Sequence, residues 1–167
     1  LTTLSIPSNC SIKRAAFRDN HLLTDLSFQS SIADMELEAF SYCDIREVAI
    51  PSGITAIPDY AFEMNKNLTS VIIPEGIETI GSYSFHSTNL STVRFPSTLT
   101  RIKDHSFSTI DCYNLPLDLY FSSLVPPIVD DDAWYGIHKI FVPNGCLETY
   151  TSTTGWLSHY TSYMEEN

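Results

Sequence analysis

Asp25 and Glu47 are the first residues in this sequence whose types and spacing could do chemistry. If they occupy equivalent points on neighbouring strands, their carboxylates lie roughly 5 Å apart, the separation that retaining glycosidases use. A general acid also needs a raised pKa and a sugar needs an enclosing pocket, and an open sheet supplies neither. The pair therefore reads as two independently solvated carboxylates, ahead of a weak cation site and well ahead of a glycoside hydrolase. Asp130-Asp131-Asp132 looks like a calcium loop, but calcium requires converging oxygens, and adjacent residues in extended chain point apart. Without a D-x-D-x-N-G frame it reads as a solvated loop. His21, His86, His105, His138 and His159 show no H-x-x-x-H pairing and no common position, so no metal is expected. There is no G-x-S-x-G elbow, P-loop or C-x-x-C, and Ser82 and Ser84 flank Tyr83 without the glycines an elbow needs. No catalytic residue and no cofactor is expected.

What must position these residues is a repeat. Ile45 to Phe62 reads L-x-x-V-x-I-P-x-x-I-x-x-I-x-x-x-A-F, and Leu68 to Phe85 and Leu90 to Phe107 repeat it. Self-similarity at a period of 22 or 23 residues is the mark of a solenoid. Ala16-Phe17, Ala39-Phe40, Ala61-Phe62, Ser84-Phe85, Ser106-Phe107 and Ala133-Trp134 mark successive turns. The longer interval before Trp134 predicts an insertion near 108–116. Three apolar columns follow, with Leu4, Leu26, Val48, Val71, Val93, Leu119 and Ile140 in the second. Ile6, Phe28, Ile50, Ile73, Phe95, Phe121 and Val142 form the third. Residues two apart share one strand face, so these two columns point into the core together. Proline at positions 7, 51, 74, 96 and 143 ends each strand where a ladder can spare an N–H. The remaining limb, with pairs such as Ile54/Ile57 and Ile77/Ile80, is too short for a helix of three turns. It predicts tight turns, 3₁₀ pieces and a second short extended segment.

Stacking in this way predicts one continuous parallel sheet. Repeats span 1–143, and 144–167 forms a C-terminal cap in which Tyr150, Trp156, Tyr160 and Tyr163 lie over the last turn. Leu1-Thr-Thr-Leu4-Ser-Ile6-Pro7 is already repeat sequence, so further repeats or another domain are expected before residue 1. Cys10 and Cys146 fall at opposite ends of one column, too far apart for a disulfide, and all four cysteines read as reduced. The net charge of −11 disfavours nucleic acid and anionic membrane as partners, and no apolar run is long enough to span a bilayer.

The template, the A-F or S-F turn and the ending Ile140-Phe-Val-Pro-Asn-Gly with Tyr150, Gly155-Trp156 and Tyr160 resemble the BspA or Treponema pallidum type of leucine-rich repeat. The resemblance covers nearly the whole chain. It departs from the common leucine-rich repeat in having Pro after the strand and no regular Asn. It implies a right-handed curved solenoid with a concave parallel sheet, export to the cell surface or beyond, and adhesion or recognition.

Two outward columns line the concave face. One is Thr3, Asp25, Glu47, Ser70, Thr92, Asp118 and Lys139; the other is Ser5, Ser27, Ala49, Ile72, Arg94, Tyr120 and Phe141. Ile72, Arg94, Tyr120 and Phe141, with Thr92 and Lys139 beside them, form a patch of the composition that interfaces favour. The resulting expectation is a recognition module that binds a protein or glycan through this face. A structural spacer is the alternative; it should show a featureless polar concavity instead.

Overall fold

The structure is a computed structural model, and it describes residues 1–108, 116–153 and 160–167. Each turn contributes a longer concave strand and a two-residue strand on the return limb. The pairs are β1 (Thr3–Ile6) with β2 (Ser11–Ile12), β3 (Asp25–Phe28) with β4 (Asp34–Met35), and β5 (Glu47–Ala49) with β6 (Ala56–Ile57). They continue as β7 (Ser70–Ile72) with β8 (Thr79–Ile80), β9 (Thr92–Phe95) with β10 (Arg101–Ile102), and β11 (Leu117–Phe121) with β12 (Ile128–Val129). β13 (Ile137–Val142), helix α1 (Leu147–Ser152), a short 3₁₀ helix (Thr161–Tyr163) and β14 (Met164–Glu166) follow among the described residues. All strand pairing is parallel, and Ile6 registers with Phe28, Val48 with Val71, and Leu119 with both Val93 and Ile140.

The core is the set of columns that the period predicts. Ile50, Ile73 and Phe95 are all buried. Phe17, Phe40, Phe62, Phe85 and Phe107 stack face to face at 5.3, 5.5, 5.5 and 5.3 Å between successive ring centroids. Trp134 continues the line through a bridge to Phe107. The turn around each aromatic explains the small residue before it. Residues two before the aromatic (Ala15, Glu38, Tyr60, Tyr83, His105) and two after it (Asp19, Tyr42, Met64, Ser87) all have φ near +60°. Such residues are costly for L-amino acids and must be held from outside. The hold is a column of inter-turn bonds: the N–H of Phe17 donates to the Ala39 carbonyl at 2.9 Å, Phe40 to Ala61 at 2.9 Å, and Phe62 to Ser84 at 2.8 Å.

Three features differ from expectation. The concave sheet consists of two four-stranded ladders, β1-β3-β5-β7 and β9-β11-β13-β14, because no pairing joins β7 to β9. The return limb turns through left-handed residues rather than through 3₁₀ helix, since alternating αR and αL backbone cannot propagate a helical run. The C-terminal segment does more than cover the last turn, because β14 pairs with β13 and adds a strand to the sheet. Tyr150 is buried, its ring 5.8 Å from Phe121 and its hydroxyl donating to the Ser123 carbonyl at 2.8 Å. Tyr160 packs edge-on against Trp134 at 5.9 Å, whereas Tyr163 stays exposed. The insertion near 108–116 falls mostly at 109–115; those residues, with Cys112, Trp156 and His159, lie outside the described set.

Candidate functional site

The concave columns come together as the register requires. Thr3 lies opposite Asp25, Asp25 opposite Glu47, and Glu47 opposite Ser70; Thr92 lies opposite Asp118, and Asp118 opposite Lys139. In the other column Ala49 lies opposite Ile72, Arg94 opposite Tyr120, and Tyr120 opposite Phe141. Ile72 stands across the interrupted ladder from Arg94, on the strand that β9 does not pair with.

The two halves of this face differ in chemistry. The N-terminal half is an open hollow of about 400 Å³ lined by Thr3, Asp25, Ser27, Arg46, Glu47 and Ala49. Asp25 accepts from the Thr24 hydroxyl at 2.9 Å, and both carboxylates are exposed, so neither is a candidate acid catalyst. The C-terminal half is aromatic and cationic. The Arg94 guanidinium lies 4.0 Å from the centroid of the Tyr120 ring, and Tyr120 stacks on Phe141 at 4.3 Å with an interplanar angle of 13°. Lys139 Nζ is 5.9 Å from the Phe141 centroid and donates to Glu165 at 2.8 Å, which raises the Lys139 pKa. Ile72 is 65% exposed, unlike its neighbour Ile73, which is buried. Between β7 and β9 lies a shallow cleft of about 310 Å³ lined by Thr69, Ser70, Ile72, Ile73, Thr92 and Arg94.

β13 carries a bulge at its start, where Leu117 pairs with Ile137 and Asp118 with Lys139. The extra residue, His138, is exposed, and its Nδ1 lies 2.9 Å from an Asp118 carboxylate oxygen. Glu165 of β14 registers with Phe141 and extends the column by one more residue. The described part of the cap thus borders the aromatic patch through β14.

A second aromatic column on the return turns was absent from the candidate sites. Tyr60, Tyr83 and His105 stack at 5.1 and 4.7 Å, and His86 meets Tyr83 edge-on at 5.2 Å. The signal was present, because all three of Tyr60, Tyr83 and His105 precede a core aromatic by two residues. Asp104 beside them accepts from the Ser82 hydroxyl at 2.7 Å, which lowers its pKa, and burial lowers that of His86. The rings cover one another, so this column serves mainly as packing. Among the described residues no cluster of His, Cys, Asp or Glu could hold a metal ion. Asp130 pairs with Arg101 at 2.9 Å and Asp132 accepts from the Tyr135 hydroxyl at 3.2 Å. The described cysteines Cys10, Cys43 and Cys146 are free thiols, and burial pushes the Cys43 thiol up to about 11.

A stack of parallel turns with an apolar interior and a chemically varied concave sheet defines a repeat solenoid of the leucine-rich class. The family profile of the BspA type leucine rich repeat region matches residues 1–115 in six copies, and the chain belongs to that family. No curated protein matches the sequence. Among solved structures, a leucine-rich repeat protein from Bacteroides ovatus ATCC 8483 superposes with a TM-score of 0.56 at 24% identity, over 86% of this chain and 44% of that one. A leucine rich cell surface protein from Faecalibacterium prausnitzii A2-165 gives 0.51 at 15% identity, over 100% of this chain and 79% of that one. At these identities the likeness is one of fold. The chain spans less than half the length of the Bacteroides protein. Among the described residues no helix is long and apolar enough to cross a membrane.

Proposed function

We propose that this chain is a non-catalytic recognition module, displayed at or beyond a bacterial cell surface, that binds a protein through the C-terminal half of its concave sheet. The observation that carries the reading is the concave row Ile72, Arg94, Tyr120 and Phe141, the first two exposed and the two rings half-buried, in which Arg and aromatic side chains are prealigned by stacking. Such side chains dominate the energetics of protein interfaces, and holding them in place beforehand reduces the entropy lost on binding. A spacer would have no reason to keep this row, since the N-terminal half shows that the sheet tolerates Ser5, Ser27 and Ala49 in the same column. A glycan is the weaker partner, because sugars stack on free ring faces and both faces of Tyr120 are covered, by Arg94 and by Phe141. The cell-surface setting draws support from the Faecalibacterium neighbour, which is a leucine rich cell surface protein.

The test is an array of matrix and surface proteins, with glycans as a separate panel, probed with the purified chain. The Tyr120→Ala/Phe141→Ala variant should lose binding by at least about tenfold, while Ser5→Ala/Ser27→Ala should bind as the parent does. Retained binding by the aromatic variant would remove the concave patch from consideration.

A further inference from the structure

Arg94 differs from the other cations of the concave columns. Lys139 is neutralised by Glu165, whereas Arg94 has no carboxylate within ion-pair distance among the described residues, in a chain of net charge −11. Its guanidinium carbon lies 4.0 Å from the Tyr120 ring centroid, a cation–π contact that orients the group without using up its N–H donors. Arg94 also lines the cleft of about 310 Å³ that opens where β7 and β9 fail to pair. Thr69, Ser70 and Thr92 line the same cleft, the Thr69 hydroxyl donating to the Arg46 carbonyl at 3.4 Å, and exposed Ile72 forms its apolar wall.

Resting on the protein-recognition reading above, we propose that this cleft receives an acidic segment of the partner protein, with an Asp or Glu carboxylate seated on the Arg94 fork and an adjoining apolar side chain against Ile72. A planar guanidinium held in one orientation matches a carboxylate bidentately, and the Ser70 and Thr92 hydroxyls can donate to whichever oxygen the fork leaves free. The exposed isoleucine calls for an apolar neighbour within a residue or two of the acid. With the protein as a whole strongly acidic, its long-range field repels an acidic segment and salt screens that repulsion, so affinity rests on this one short-range contact.

The test uses a phage-displayed library of linear peptides panned on the immobilised full chain. The strongest binders are then synthesised and titrated by fluorescence polarisation against the parent, Arg94→Gln, Arg94→Lys, Ile72→Ser and Tyr120→Ala/Phe141→Ala proteins. Enriched peptides should carry Asp or Glu beside an apolar residue. Arg94→Gln should weaken binding by about tenfold or more, and Arg94→Lys by less. Replacing the peptide acid by its amide should cost the same on the parent and nothing further on Arg94→Gln. Additive losses, or enriched peptides without an acid, would overturn the carboxylate assignment. If binding then still fails in the Tyr120/Phe141 variant, the concave reading stands alone. Binding indifferent to every one of these changes, or a library that yields no binder, would count against both.

Discussion

The guanidinium of Arg94 rests 4.0 Å from the centre of the Tyr120 ring, one strand away, and the opposite face of that ring is covered by Phe141. Parallel register at one residue per turn is what makes such a column possible, because like positions recur at the strand spacing of about 4.8 Å. Half-exposed cation–π contacts contribute roughly 0.5–1 kcal/mol. Arg94→Gln should therefore lower the unfolding free energy by about that much in parent protein and by much less in a Tyr120→Ala background. Chemical denaturation of the four proteins of this cycle measures it.

Asn65 is fully buried three residues after Phe62, and its amide donates to the carbonyls of Phe40 at 2.8 Å and Phe62 at 3.0 Å while accepting from the Ile45 N–H at 3.1 Å. Cys43 at the equivalent place in the preceding turn has only a weak thiol donor, which reaches the Phe17 carbonyl at 3.1 Å and the Ser41 carbonyl at 3.8 Å. Removing Asn65 leaves several buried backbone groups without partners, so Asn65→Ala should cost about 3 kcal/mol and Cys43→Ala about 1 kcal/mol, read from urea unfolding midpoints. Equal costs would show that the amide is not what fastens adjacent turns here.

Gly53 and Gly76 occupy the same point of successive turns, with φ of +97° and +98°. A Cβ on Gly53 would stand 2.2 Å from the Ile32 carbonyl oxygen, whereas one on Gly76 would meet nothing within 4 Å. Both alanine variants incur the backbone penalty of the left-handed region, about 1 kcal/mol. Gly53→Ala should lose a further few kcal/mol because backbone has to move, and thermal melts of the two variants compare them directly.

Acid should unfold the protein in two stages. Burial depresses the pKa of His86, so the folded state resists protonation and stability is complete only above the unfolded histidine value of about 6.5. As the pH falls from there toward the depressed value, stability is lost. Glu36 (through Lys13), Glu75 (through Ser97) and Asp104 (through Ser82) have lowered carboxyl pKa values, so their contribution is present above about pH 4.5 and disappears below it. Glu63 works in the opposite sense, since burial raises its pKa and the fold favours its protonated form. Melting temperatures between about pH 5 and pH 7 should rise with pH in the parent and flatten in His86→Gln. An unchanged slope would mean that His86 does not titrate as its packing requires.

Much of this molecule is legible in its sequence, and the reason is physical. When like residues stack on like, each column is written six or seven times, so Ile50, Ile73 and Phe95 declare a shared environment that no single copy could reveal. The same repetition set the concave register, and Arg94, Tyr120 and Phe141 fall together as a result. What repetition does not encode is what departs from it. The missing pairing between β7 and β9 follows from no residue type at Ser70 or Thr92. The strand Met164–Glu166 lies beyond the last repeat, where period carries no information. Tyr60, Tyr83 and His105 recur two residues before the core aromatics, but they are half-buried in a turn that has no strand alternation to say which way a side chain faces.

Hydroxyl-radical footprinting of the chain, alone and saturated with the partner recovered from the protein array, tests the proposed recognition surface most directly. Oxidation of Tyr120 and Phe141 should fall several-fold on binding while that of Tyr60, Tyr83 and Tyr135 on the return turns stays unchanged. Protection of the return-turn tyrosines with Tyr120 and Phe141 still open would contradict the account.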